Sequence, residues 1–428
     1  MRVLGQTWGG ISKMRLGAVS AAMMLAITLA PGLAVAQSAK ARSFIDFYKF
    51  TGGADGSFPL AHLTLRNRKL YGTTQQGGNG RWGTIFSLKH SERGWELTVL
   101  YSFTGYSDGS GTSAGLTFDK VGNIYGTSGG GAYAGGVAFE LRRSHGVWKK
   151  QILHSFGQGT DGDGPLGDVI FDGAGKLYGT TYTGGDQSCD FYGEGCGTVF
   201  QLIHAKGKWK ERVIYRFAGG NDGSYPSGGL VADKDGNLYG MTDNGGGTGC
   251  YSEYGCGIIF QLKHSSSGWK ENVLHRFTGG SDGAYPQWSN LILDEEGNLY
   301  GTTTEGGTYG DGVAFRLSPS NRGWRETVLY AFGTDGTHPS GALVFDHAHN
   351  LYGMTEAGGP MNYGTLYQLR YSNRTWSQTV LHNFTGSDGA YPESGLTVGR
   401  KGQLYGAAEF GGGGDCTGGC GVVFRIKR

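Results

Sequence analysis

The sequence predicts an all-β chain, a seven-bladed β-propeller of four-stranded blades closed by pairing of the mature N-terminal strand with the last repeat. Three observations carry this expectation. A strand-and-turn phrase recurs seven times, no window after the first 36 residues has helical periodicity, and the two ends of the chain hold complementary fragments of one unit. Glycine is the first clue. The 428 residues include 84 Gly and 9 Pro, yet 13% are aromatic, and a disordered chain lacks the aromatic content needed to offset chain entropy. The glycines therefore belong to turns.

Each unit runs through an aromatic-ended strand, an Asp-Gly turn, a short apolar strand, Tyr-Gly, a Gly-Gly loop and Gly-x-x-aromatic. The strand-ending residues are Phe50, Phe103, Phe156, Phe217, Phe277, Phe332 and Phe384. The Tyr-Gly tyrosines are Tyr71, Tyr125, Tyr178, Tyr239, Tyr300, Tyr352 and Tyr405. Repeats begin near residues 44, 99, 152, 213, 273, 328 and 380. In the fifth, four strands are expected: A at Leu291–Asp294, B at Asn298–Thr303, C at Gly312–Leu317 and D at Trp324–Phe332. The last repeat stops after strand C, whereas Phe44–Phe50 is a D strand with no A–C before it. Pairing of residues 44–50 with residues 421–427 would close the ring and leave no long sheet edge. The D-strand tryptophans and the Tyr-Gly tyrosines are expected to pack between sheets.

The phrase VLHRFTGGSDGAYP at 273–286, followed by GNLYGTT at 297–303, resembles the GloVer-type repeat carried in tandem by exported bacterial choice-of-anchor proteins. The resemblance extends over the mature chain in seven copies. It implies an exported repeat protein of no established activity and offers no catalytic residues to carry over. Members of that family often end in a surface-sorting anchor, and none is visible after strand C of the last repeat here.

Export is also legible directly. Lys13 and Arg15 precede an apolar run from Leu16 to Leu33, followed by Ala34-Val35-Ala36. Residues 1–36 read as a signal peptide starting at Met1 or Met14, with a single domain over 37–428 in a periplasmic or extracellular location. Removing Arg2, Lys13 and Arg15 leaves 34 of the 37 basic residues against 35 acidic ones. A near-neutral chain without a basic run argues against nucleic acid. No later segment is long and apolar enough to span a membrane, and a monomer is expected. Six cysteines in three local pairs, Cys189/Cys196, Cys250/Cys256 and Cys416/Cys420, predict disulfides in an exported chain.

Propeller topology puts the D–A and B–C loops on one face, with the Asp-Gly turns, the Gly-Gly segments and all the cysteines. Functional residues favour such loops on a rigid scaffold. Seven aspartates recur there, and they read as turn caps; Asp161 and Asp163, the one doubled copy, are the weak calcium candidates, and no other cofactor is expected. Departures from the repeat are more informative. Where most copies place Gly or Ala before strand A, His62, Asp168 and Asn290 stand instead, with Trp288 and Glu393 just upstream. At the end of strand B the varied positions include Asp243, Glu356 and Glu409. These eight residues are the ligand-binding candidates. They suit a binding module for glycan or cell-surface material, with Trp288 as a stacking platform. The alternatives are a polysaccharide lyase or glycoside hydrolase using the rim carboxylates and His62, and a structural scaffold for protein partners.

Overall fold

The computed structural model describes residues 43–427, except 187, 188, 190–192, 248 and 251–253. The expected signal peptide over residues 1–36 lies outside the described residues. Among the described residues no helix is long and apolar enough to cross a membrane.

Seven antiparallel four-stranded sheets make up the protein, each in the order A-B-C-D. In the fifth blade the strands are Ile292–Leu293, Leu299–Thr303, Val313–Ser320 and Gly323–Ala331. The seventh joins Thr397–Val398, Leu404–Ala408 and Val422–Ile426 to Phe44–Lys49. Its register runs from Phe44 opposite Ile426 to Lys49 opposite Val422, as the complementary chain ends predicted. Strand A is two or three residues long except in the sixth blade, where Thr337–Phe345 is extended by a bulge between Ser340 and Val344.

The repeated residues account for the packing. The glycine after each tyrosine lies under the aromatic ring of strand C: a Cβ on Gly240 would come within 2.5 Å of Phe260 Cζ. Each D strand ends on a buried Phe that packs against strand C of the next blade, as in Phe156 and Phe200 (4.8 Å) and, across the ring closure, Phe50 and Phe86 (5.3 Å). Tyrosines and tryptophans join the blades a layer further out. Tyr125 lies edge-on to Trp209, and Tyr405 edge-on to Trp95.

Both recurrent aspartates have structural partners. In the A–B hairpins, Asp119, Asp172, Asp233, Asp294 and Asp346 accept backbone N–H groups of their own turn and the hydroxyl of the following Tyr-Gly tyrosine. In the D–A turns, Asp108, Asp161 and Asp388 accept backbone N–H groups, and these carboxylates and that of Asp335 meet a D-strand Tyr or His. Tyr101 donates to Asp108 and Tyr330 to Asp335, while His154 pairs with Asp161 and His382 with Asp388. This is the expected role of an aspartate as turn cap.

All three predicted disulfides are formed, and no described cysteine is free. They lie in B–C loops against a glycine of the following D–A loop: a Cβ on Gly52 would meet both sulfurs of Cys416–Cys420, and one on Gly279 both sulfurs of Cys250–Cys256.

Candidate functional site at the axial mouth

Strand A is innermost in each blade, so the residue entering it faces the axis. Around the ring that position reads His62, Gly115, Asp168, Gly229, Asn290, Ala342 and Gly395. Large polar and small residues thus alternate through the first six blades, and the alternation is steric. A Cβ on Gly115 would fall 2.2 Å from His62 Cε1, and one on Gly229 3.2 Å from Asp168 Cβ.

The three large side chains converge. His62 Nδ1 lies 3.4 Å from Asp168 Oδ2, and Asn290 Nδ2 donates to the same oxygen at 2.9 Å. The small residues orient the large ones: the Gly115 N–H donates to Asp168 Oδ1, and the Gly229 N–H donates to Asn290 Oδ1 at 2.6 Å. Rotamers held in this way are preorganised rather than selected by a ligand.

This triad lies in a cavity of about 360 Å³ at the mouth, which is also lined by Trp288, Glu393 and Glu409. Six of the eight candidate residues therefore share one cavity. Trp288 is 46% exposed. Glu356 is outside the lining but close enough to Glu393 and Glu409 to act on their charge. Burial and the Glu356 charge push Glu393 up to about 7, and burial with the charges of Glu393 and then Glu356 pushes Glu409 up to about 8. Asp243 differs from the rim position expected of it. It is buried beneath the mouth, where it accepts from Ser227 Oγ at 2.6 Å and is pushed up to about 7 by burial. Ser227 Oγ in turn accepts the backbone N–H of Trp288 at 3.1 Å, so Asp243 braces the Trp288 backbone from below and does not line the cavity. Asp161 is engaged by His154 and by its own turn. Among the described residues no three His, Cys, Asp or Glu side chains are grouped as metal ligands.

Sequence reasoning missed the aromatic residues that precede the rim prolines. Phe58, Tyr225, Tyr285 and Tyr391 have φ between 51° and 62°, a strained setting for a bulky residue. Each donates its N–H to the preceding blade, to Cys420, Cys196, Cys256 and Tyr363 respectively, and accepts from the residue ending strand B of its own blade: Gln75, Asp243, Thr304 or Glu409. These residues thus tie the varied B-end positions to the preceding blade through backbone hydrogen bonds. The aromatic-Pro dipeptide repeated in four blades was the available signal.

No curated protein sequence matches the chain. Among solved structures, a fungal alcohol oxidase of the AA5 family, in complex with copper, superposes with a TM-score of 0.57 at 12% identity, covering 90% of this chain and 76% of that one. A protein from Bacteroides uniformis provisionally named a 6-phosphogluconolactonase gives 0.47 at 12% identity, with 76% and 84% covered. One from Thermus thermophilus provisionally named an oxidoreductase (glucose dehydrogenase) gives 0.44 at 18%, with 73% and 95% covered. At such identities the likeness is one of fold. The sequence pattern of the Gloeobacter/Verrucomicrobia repeat matches at residues 32–190, 94–286 and 246–428, and the chain belongs to that repeat family.

Proposed function

We propose that the protein is an exported, monomeric glycan-binding propeller that takes its ligand at the axial mouth of the D–A/B–C face. The observation that carries this reading is the convergence of His62, Asp168 and Asn290 in one cavity with an exposed Trp288. Sugars present hydroxyl edges and apolar C–H faces. A carboxylate, a carboxamide and an imidazole serve the first, and an indole serves the second. The cavity volume falls within the usual range for a small-ligand pocket. The three disulfides suit an exported chain. The test is a glycan-array screen of the mature protein beside Trp288→Ala and Asp168→Ala. Binding by the parent that both substitutions abolish supports the reading; no binding to any glycan on the array overturns it.

A second reading, glycoside hydrolysis, is favoured by Glu393 and Glu409. A carboxyl held protonated near neutral pH is the setting of a general acid, and paired carboxyls are the recurring arrangement of that chemistry. Reducing-sugar release from a polysaccharide panel, lost in Glu409→Gln, would establish it. Binding without release on any substrate leaves the protein a binding module.

A further inference from the structure

The opposite face carries a second cavity, of about 780 Å³, at the seam where the seventh blade meets the first. It is lined by Arg68, His90, Arg400, Lys401, Arg425 and Lys427, with Trp95 and Tyr405 as an aromatic wall, and none of its lining residues is acidic. Among the described residues none of these six basic side chains forms an ion pair. So concentrated a positive charge is unusual on a chain whose overall balance is near neutral.

Comparison between blades shows why the charge is uncompensated. Asp119, Asp172, Asp233, Asp294 and Asp346 occupy one hairpin position in the second to sixth blades. In the seventh blade Gly399 stands there; its N–H donates to Gln403 O just as the N–H of Asp233 donates to Asn237 O. The strand-C residue opposite the tyrosine is Gln201, Gln261 or Gln368 in three blades, where its amide donates to the tyrosine hydroxyl. In the seventh it is Arg425, opposite Tyr405. Arg425 Nε is buried and has no hydrogen-bond partner among the described residues. The fifth blade has an arginine at this position too, Arg316, whose Nε is likewise unpartnered. There, however, Asp294 remains, and it and Arg316 both act on Tyr300. The seventh blade keeps the arginine and lacks the carboxylate.

In the seventh blade the uncharged Gln403 amide makes the aspartate's bonds, accepting the Lys401 N–H at 3.0 Å and donating to the Tyr405 hydroxyl at 3.2 Å. We infer that this seam groove is a binding site for a small oxyanion ligand, whose carboxylate or phosphate group supplies beside Arg425 the negative charge that the hairpin aspartate supplies in other blades. Arg425 would meet the anion from the groove wall. Arg68 on one hairpin and Arg400 and Lys401 on the other would flank it, and Trp95 and Tyr405 would contact the body that carries it. Arginine suits the task because its planar fork matches carboxylate and phosphate geometry.

The experiment is calorimetric titration of the mature protein with inorganic phosphate and, separately, with acetate, at constant ionic strength made up with chloride. Two variants test the site independently. Arg425→Gln installs the residue of three other blades and weakens binding about ten-fold through loss of a charge-assisted contact. The double substitution Gly399→Asp with Gln403→Asn copies the hairpin of neighbouring blades. The glutamine must also change because a Cβ on Gly399 would lie 2.8 Å from its Cδ. This variant abolishes anion binding and melts higher than the parent in chloride alone. Saturable binding of phosphate alone identifies a phosphate ligand, and that of acetate alone a carboxylate. Absence of saturable binding for both anions, or an affinity unchanged in both variants, overturns the site.

Discussion

Asn290 Nδ2 donates to Asp168 Oδ2 at the axial mouth at 2.9 Å, although the two residues are 122 positions apart in the chain. The contact joins blades that are not neighbours, so it reports on the geometry of the mouth and not on any one blade. Asn290→Ala removes that donor and leaves the Gly229 N–H without its acceptor. The expected cost is about 1–3 kcal/mol, seen as a lower urea midpoint. Asn290→Asp keeps the acceptor but sets two carboxylates against each other, and its deficit should shrink on acidification. A midpoint equal to the parent in both variants would show that the contact is idle.

Stability should fall as the pH rises from 5 to 8.5. Burial pushes Glu211 and Glu326 up to about 7 and Glu271 up to about 8 on the D strands, besides the two mouth glutamates. Groups raised in this way hold their protons in the folded chain at a pH where the unfolded chain has released them. The free energy of unfolding therefore declines between the ordinary glutamate range and about pH 8. His382, which burial holds below its usual range, works against the trend near its own titration. The depressed Asp108, Asp233, Asp282 and Asp346 titrate below this window. Melting temperature against pH checks the sign. The decline should flatten in Glu271→Gln, and a melt that rises over this range refutes the assignment.

Two glycines should respond in opposite directions. Gly240→Ala drives a methyl group into the Phe260 ring and should destabilise by about 1–3 kcal/mol, as overpacking does. Gly173 has nothing within 4 Å of an added Cβ and no positive φ. Gly173→Ala should be neutral, or stabilise by up to about 1 kcal/mol through reduced freedom of the unfolded chain. Chemical denaturation of both variants separates a packing role for the repeat glycines from mere loop composition.

The Cys416–Cys420 disulfide borders the loop that leaves the closing strand. Replacing both cysteines with serine should cost about 2 kcal/mol by loop-entropy arithmetic. The loss should appear as earlier proteolysis near that seam, read by mass spectrometry of limited digests. First cleavage elsewhere would place the weak point in another blade.

The fold was legible because every blade repeats the same solution. Tyr-Gly, Asp-Gly and Gly-x-x-Phe recur at fixed offsets, and the unmatched Phe44–Phe50 segment shows how the ring shuts. The mouth was legible only as interruption: His62, Asp168 and Asn290 stood out where glycine or alanine was the rule. What sequence could not convey was depth. Asp243 and Glu409 occupy the same repeat position, yet one is buried against Ser227 and the other lines the cavity, a difference set by neighbouring side chains. The seam groove was invisible for another reason, since it depends on a carboxylate that Gly399 does not supply.

The pairing of Phe44–Lys49 with Val422–Ile426 also has a consequence in time. The first strand of the domain to be made has to wait for the last before it gains its partner. Until then the nascent protein is a row of up to six blades with two open flanks, and closure is the contact with the greatest sequence separation, hence an entropically late event. A chain interrupted anywhere before residue 422 would keep Phe44, Phe47 and their aromatic contacts exposed, so incomplete translation products should be sticky and readily degraded. Ring closure thus acts as a check that the last strand of the propeller has been made.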